Sequence, residues 1–223
     1  MNTHKNLVRR VPAGEIIKPW LVLGPFYEDV SHAVHSASIF ESAYATLGRG
    51  IVDEVTEQVR ALFALRPLEG QETSFREQVG RWSLVRRPDK LLSWGVFYKP
   101  HHLVTAFLTT VVTPTTPGTR RWRLVTGMPA RTLVAINGKV VTDCLTRPSG
   151  AHSRGHQCAF DAALEPGENV LTVAMIRISR MAQIGCWLEV VDGEVTARTP
   201  LPEGMSLETR CRVEEEVMGV RLA

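Results

Sequence analysis

Short apolar runs recur along most of the chain, and turn residues separate them. From about residue 80 the runs are rich in Val, Ile, Leu, Thr and aromatic residues, which are typical of strands. In chain order they read GRWSLVRR, LLSWGVFYKP, LVTAFLTTVVTP, RRWRLVTG, RTLVAING, KVVTDC, HQCAFDAAL, NVLTVAMIRIS, IGCWLEVVDG and EVTART. Many short strands at this spacing predict an antiparallel sandwich or barrel.

One of these runs, NVLTVAMIRIS, is apolar on both of its alternating faces. Successive side chains of a strand point to opposite faces of the sheet, and here both sets stay apolar until Arg177. A strand that is apolar on both faces is covered on both sides, so this run is predicted to be a central strand.

A single stretch before these strands has the periodicity of a helix. In GIVDEVTEQVRALFALRP the residues Val52, Val55 and Val59 recur on one face, whereas Asp53 lies away from it. Pro67 is expected to end this helix, which gives a predicted span near residues 50–66. Its apolar face is expected to pack against the core or against a partner.

The remaining segments complete the predicted domain plan. Residues 1–15 are polar and are expected to form an N-terminal arm, and residues 16–200 to form the sandwich domain. The apolar run 20–23 is predicted to be a buried strand that a turn at Gly24 and Pro25 ends. Residues 201–223 are amphipathic and charged, and a last strand, a short helix and an interface segment all remain open for them.

Composition narrows the class of protein. The chain has 223 residues, of which 44% are hydrophobic and 22% charged, as expected for a globular domain that builds its core without a metal. The net charge of +3 is small and the basic residues are scattered, which argues against nucleic acid as a partner. No segment has the pattern of a signal peptide or the length of a membrane span, so we expect a cytoplasmic protein. Its preference for Arg over Lys suggests a bacterial source.

The four cysteines lie far apart in the sequence and form no CxxC pair. Free buried thiols are therefore expected in preference to disulfides. These residues are Cys144, Cys158, Cys186 and Cys211.

Three motifs together resemble a known family. WLVLGPF opens the domain, LVAINGKVV lies in its middle, and LEPGENVLTVAMIRIS with IGCWLEVVD comes near its end. In this order they resemble the galactose-binding-domain-like jelly-roll β-sandwiches, which are accessory modules of bacterial carbohydrate-active and related proteins. The resemblance covers residues 16–30 and 80–195. The NGK within it has a structural explanation, because Asn137 and Gly138 tolerate the positive φ of a two-residue hairpin turn.

The resemblance implies both a fold and a function. The expected fold is mainly β, an antiparallel jelly-roll β-sandwich with one or two peripheral helices. The expected function is non-catalytic binding of a carbohydrate-like small molecule or a partner protein, as an accessory module or subunit of a bacterial enzyme system. Homo-oligomer formation through the helix and the C-terminal segment stays open.

Candidate ligand-binding residues follow from the chemistry of sugars. Flat aromatic rings stack on the apolar face of a pyranose, which makes Trp94, Tyr98 and Trp122 candidates. His102 and Arg120 lie near them in the sequence and have donors for sugar hydroxyls. The competing interpretation of the tryptophans is burial in the core, and for Trp20 and Trp187, which lie in apolar runs, that interpretation is favoured.

An enzyme built on the sandwich is the alternative. GAHSRGHQCAFD contains His152, His156 and Asp161, and a hydrolase, lyase or cyclase would use one of these histidines, or His101 or His102, with Asp161 or an arginine. Together with Cys158, the three residues of this segment have donor atoms for a metal, but their spacing matches no standard zinc pattern, so no metal is predicted. No phosphate-binding or dinucleotide-binding glycine motif occurs, and no cofactor is predicted.

Overall fold

The computed structural model describes residues 9–30, 42–85, 92–97, 102–126, 131–145, 156–179 and 182–218. Its strands are β1 (Arg9–Val11), β2 (Leu21–Asp29), β3 (Glu72–Phe75), β4 (Gln78–Arg81), β5 (Ser83–Leu84), β6 (Leu92–Phe97), β7 (His102–Pro114), β8 (Gly118–Thr126), β9 (Arg131–Ile136), β10 (Lys139–Leu145), β11 (His156–Leu164), β12 (Asn169–Ser179), β13 (Ala182–Val190) and β14 (Val195–Arg198). The helices are α1 (Ser42–Leu62) and α2 (Leu207–Met218).

The strands form two main antiparallel sheets that face each other. Sheet A has the order β1-β14-β7-β12-β9-β10, with β2 paired to β7 and β5 paired to β2. Sheet B has the order β11-β8-β13-β6, and β3 and β4 form a separate hairpin. Apolar side chains from both sheets fill the space between them, among them Leu108, Leu124 and Leu188. The predicted mainly β, antiparallel sandwich is therefore confirmed.

Strand β12 is central in sheet A, as its sequence predicts. It pairs with β7 on one side and with β9 on the other. Val173 and Met175 face the space between the sheets, whereas Ala174 and Ile176 face the opposite side of sheet A. Both faces of this strand are covered because a third layer lies on the outer side of sheet A.

Helix α1 and the β3–β4 hairpin form that third layer. The predicted helix face is confirmed, because Val52, Val55 and Val59 are at most 3% exposed in a second core with side chains of sheet A. The helix starts eight residues before the predicted boundary and ends at Leu62, before Pro67. Since this face packs on the chain's own sheet, it is not available as the oligomer interface that the sequence left open.

Two N-terminal expectations need correction. Part of the expected arm is a strand, since β1 pairs with β14 and extends sheet A. Gly24 and Pro25 do not end a strand: they form an irregularity within β2, whose register with β7 shifts between Leu23 and Phe26. Such a bulge accommodates proline inside a sheet, because one backbone N–H is left out of the ladder there.

The C-terminal segment contains α2. Ser206 caps this helix, with its Oγ accepting a hydrogen bond from the backbone N–H of Thr209 at 3.2 Å. Of the three outcomes that the sequence left open for this segment, the short helix is therefore observed. Within the described residues, neither α1 nor α2 is long and apolar enough to cross a membrane.

The cysteine prediction is wrong for one pair. Cys144 and Cys158 form a disulfide between β10 and β11, while Cys186 and Cys211 are free. Strands β10 and β11 are edge strands of different sheets. The sequence spacing could not reveal this pairing, because only the stacking of the sheets places the two edges side by side.

Candidate functional site

The two ends of the sandwich differ in how their polar groups are used. We call the end with the turns at residues 115–117, 137–138, 165–168 and 191–194 the turn end. The opposite end, where β2 and β12 finish and β7 begins, carries Tyr27, Asp29, His102, Thr126, Thr132 and Arg177. We call it the polar end.

At the turn end, the NGK hairpin is locked to its neighbour by side-chain amides. Asn137 and Gly138 have φ values of 51° and 83°, as a two-residue turn requires. The Oδ1 atom of Asn137 accepts from the N–H of Val170, and its Nδ2 donates to Asn169, both at 2.9 Å. The NGK motif is thus a structural turn, and Lys139 beside it is exposed.

Arginines at the turn end likewise bind other turn residues. The Arg198 guanidinium donates two hydrogen bonds to the Glu168 carboxylate, at 2.9 and 2.6 Å, and it lowers the pKa of that carboxyl. The Arg120 guanidinium donates to the carbonyls of Thr116 and Thr119. It also lies against Gly193, where a Cβ would come within 2.6 Å of its Nε.

At the polar end, three adjacent strands direct polar side chains into the space between the sheets. Tyr27 of β2 pairs with Val104 of β7, which pairs with Arg177 of β12. Val104 belongs to the core between the sheets, so its cross-strand neighbours share that inward face. In the next inward-facing row, Asp29 pairs with His102.

Arg177 gives this end its most unusual property. Its side chain is only 5% exposed, and a guanidinium stays charged at physiological pH, so its burial requires polar groups around it. Burial also raises the pKa of the nearby Tyr27 hydroxyl. The polar end therefore combines a buried charge with a low-dielectric interior.

Two threonines add unused hydrogen-bonding capacity. Thr126 is 5% exposed and Thr132 is fully buried. By strand alternation they share the inward faces of Leu124 and Val134, which belong to the core between the sheets. Neither Oγ1 atom has a hydrogen-bond partner among the described residues. Leaving such a group unpaired costs about 1–3 kcal/mol.

The predicted site residues lie in different parts of the described structure. His102 begins β7 and is partly buried. His156 begins β11 and pairs with Thr126 of the polar end, whereas Trp94 lies within β6 of sheet B. Tyr98 and His152 lie outside the described residues.

Other predicted residues are elsewhere. Trp122 is fully buried and stacks on Phe160, with ring centroids 6.5 Å apart, so its predicted role as an exposed sugar platform is wrong. Arg120 belongs to the turn end, because its guanidinium bonds the turn that contains Thr116. Asp161 is exposed, and it lies five residues from His156, about 16 Å along the strand, so these two do not form a catalytic pair.

Sequence reasoning missed most of the inward-facing polar set, namely Tyr27, Asp29, Thr126, Thr132 and Arg177. The sequence did mark Arg177 as unusual, because it is the charged residue that ends the apolar face of NVLTVAMIRIS. Trp187 was expected in the core but is partly exposed on sheet B. In the described part of the chain, no group of three or more His, Cys, Asp or Glu side chains is placed to hold a metal ion.

Comparisons with known proteins give only distant likenesses. No protein-family model matches the chain, and no curated protein matches it. Similar solved structures include a family 35 carbohydrate binding module from Clostridium thermocellum, with 16% identity, a TM-score of 0.31, and coverage of 48% of this chain and 88% of that one. A family 35 module from Cellvibrio japonicus has 18% identity and a TM-score of 0.34, over 46% of this chain and 81% of that one.

A larger protein is among the similar structures. The β-glucosidase from Kluyveromyces marxianus has 15% identity and a TM-score of 0.36, over 66% of this chain but only 17% of its own length. At such identities and scores, these likenesses carry no conclusion about what this chain binds.

Proposed function

We propose that this chain is a non-catalytic β-sandwich that binds a carbohydrate-like small molecule at the polar end. The observation that carries the proposal is the pair of buried Thr126 and Thr132 hydroxyls, which lack hydrogen-bond partners among the described residues. In the proposed role, the chain is an accessory module or subunit of a bacterial enzyme system.

A hydroxyl-rich ligand suits this set of groups. Each threonine hydroxyl can donate one hydrogen bond and accept two, which matches the dual character of a sugar hydroxyl. Thr132 pairs with Met175, which places it one diagonal step from Arg177 on the neighbouring strand. Apolar neighbours such as Val104 supply surface for the C–H groups of a sugar ring, and binding sites commonly combine such walls with a few polar groups.

One juxtaposition favours a second candidate function. Asp29 and His102 are direct cross-strand partners, with Asp29 exposed and His102 partly buried. A carboxylate beside a histidine can orient the imidazole for acid–base work. In this second candidate, a small hydrolase, lyase or cyclase, His102 is the general base and Asp29 orients it.

The proposal is tested by removing the unpaired hydroxyls. Valine has nearly the shape of threonine, so Thr126→Val and Thr132→Val delete hydrogen bonds to a ligand and little else. Titration of the wild-type protein with neutral and acidic mono- and disaccharides, followed by calorimetry, should find a sugar that binds. Each variant should then bind that sugar about tenfold more weakly, without loss of thermal stability.

Thr110→Val is the matched control. Its hydroxyl already donates to the Arg198 carbonyl at 3.1 Å, away from the polar end. This variant should lose stability, by about 1 kcal/mol, and keep the wild-type affinity. Wild-type affinity in both Thr126→Val and Thr132→Val would refute the site, whereas turnover of a sugar that His102→Ala abolishes would favour the enzyme.

A further inference from the structure

The disulfide joins the two sheets at β10 and β11, two edge strands that are not paired with each other by backbone hydrogen bonds. Strand β10 is the last strand of sheet A in its order, and β11 is the first of sheet B. Cys144 and Cys158 lie on these two edges, 14 residues apart in sequence. The Oγ1 of Thr142 lies 3.6 Å from the Cys144 sulfur and 3.8 Å from the Cys158 sulfur. In the described part of the chain, the bond is thus the covalent tie between these edges.

The interior behind this bond is aromatic. Phe160, two residues after Cys158 on the same face of β11, stacks on Trp122 with an interplanar angle of 12°. Trp122 is fully buried, but Phe160, Cys144 and Cys158 are only partly buried. The sandwich is therefore shielded less completely along this edge than in its centre.

The same bond lies next to the polar end. Cys144 is the cross-strand partner of Thr132, whose hydroxyl has no hydrogen-bond partner among the described residues. Thr132 keeps its inward position because β9 is paired between β10 and β12. A displacement of β10 would act directly on the strand that carries this group.

We propose that the Cys144–Cys158 bond is a redox-sensitive clamp that holds the β10 and β11 edges together beside the polar end. A dithiol reductant breaks it: the sulfur–sulfur bond takes up two electrons and two protons and becomes two thiols, and the reductant is oxidised to its own disulfide. The released edges then separate more readily, and the interior beside Phe160 opens. That this also weakens ligand binding rests on the proposed function.

The two remaining cysteines are poor competitors for this exchange. Cys186 is 1% exposed, and burial raises the pKa of its thiol to about 12, so it carries almost no thiolate at neutral pH. Cys211 lies in α2, outside both sheets. Oxidation of Cys211 would therefore not act on the β10 and β11 edges, and the Cys211→Ser variant removes its contribution to the thiol count.

The test compares oxidised and reduced protein without a ligand. After incubation with oxidised glutathione and unfolding in denaturant, the chain should show two titratable thiols, and four after dithiothreitol. Reduction should lower the melting temperature by roughly 5–10 °C, the scale expected for a cross-link across a loop of this length. Hydrogen exchange should rise in β10 and β11 and stay unchanged at the Asn137–Gly138 turn.

Matched variants separate the clamp from general effects of thiols. The Cys144→Ser/Cys158→Ser double variant should behave as the reduced protein and ignore reductant, whereas Cys211→Ser should keep the full response. Four titratable thiols after the oxidising incubation, or equal exchange in both redox states, would overturn the proposal; both readouts use the wild-type chain and do not depend on a variant folding.

A sugar identified in the binding screen gives the last readout. A loss of affinity on reduction supports the coupling of clamp and site, and equal affinity in both redox states overturns that coupling. If no sugar binds in either state, the proposed function fails, while melting and exchange still decide the clamp.

Discussion

Both ends of the sandwich carry polar side chains, but the two ends differ in how these side chains are hydrogen-bonded. At the turn end, Asn137, Asn169 and Arg198 all bond other parts of the chain. At the polar end, Arg177 is buried between the sheets, and the hydroxyls of Thr126 and Thr132 find no partner among the described residues. The turn end thus uses most of these polar groups to close turns, although the Arg120 Nε is unpaired among the described residues, whereas the polar end places two unpaired hydroxyls between the sheets.

This difference indicates which polar groups stabilise the fold and which are available to a ligand. A polar group that is fully bonded within the chain contributes to folding, and its removal leaves former partners unpaired. A buried polar group without a partner costs stability, and natural proteins tend to tolerate such a cost at functional sites. Substitutions at the turn end should therefore change stability alone, and substitutions at the polar end should change ligand affinity first.

The largest effect is expected at Asn169 in the turn end. Its buried amide accepts from the Glu165 N–H at 3.0 Å and from Asn137, and it donates to the carbonyls of Glu165 and Gly167. Asn169→Ala breaks all four hydrogen bonds and should lower the free energy of unfolding by about 3 kcal/mol. Urea denaturation measures this change. A loss below about 0.5 kcal/mol would mean that the turn end does not depend on this amide.

The next effect contrasts one arginine from each end. Arg177→Met keeps the apolar stem but removes the buried charge, so ligand affinity should fall at least tenfold, by about 1.4 kcal/mol. Stability should also fall, because the polar groups around the buried guanidinium lose their partner, so affinity is measured on the folded variant. Calorimetric titration and thermal melting give the two values.

Arg120→Met is the control for that contrast. It removes hydrogen bonds to the carbonyls of Thr116 and Thr119, so stability should fall by about 1 kcal/mol while affinity stays at the wild-type value. The opposite outcome, with affinity lost in Arg120→Met and kept in Arg177→Met, would place the ligand at the turn end.

The smallest effect is the pH dependence of stability that arises from the buried Cys186 thiol, which reports whether water reaches the polar end. Cys186 pairs with Thr126, and burial raises the pKa of its thiol to about 12, above its ordinary value of 9.0. The unfolded thiol therefore ionises first as pH rises, so this stabilising contribution is complete below pH 9 and is lost as pH rises toward 12. Between pH 9 and 10 the wild type should lose about 1 kcal/mol more stability than Cys186→Val, in urea titrations. Equal pH slopes would show that water reaches the thiol.

Much of the fold was predictable from local pattern. The doubly apolar run of β12 predicted a central strand, and the spacing of Val52, Val55 and Val59 predicted the buried face of α1. Both patterns depend on neighbours along the chain. The disulfide between Cys144 and Cys158 was not predictable, because it depends on which edges of the two sheets meet.

The candidate site was predictable only in part. His102 was a candidate because it lies near the aromatic residues in the sequence, and its position at the polar end follows from its pairing with Asp29. Trp122 was a candidate because its flat ring could stack on a sugar, yet strand alternation turns this ring into the core. Thr126 and Thr132 look like ordinary strand residues in the sequence, since their unpaired state follows from the packing of two sheets.

Chemical-shift mapping of backbone amides during titration with a binding sugar is the most direct test of whether the sugar binds at the polar end. We expect the largest shifts at Tyr27, His102, Thr126, Thr132 and Arg177, and no shifts at Asn137 and Gly193 of the turn end. Shifts concentrated at the turn end, or around Trp187 on the outer face of sheet B, would contradict it.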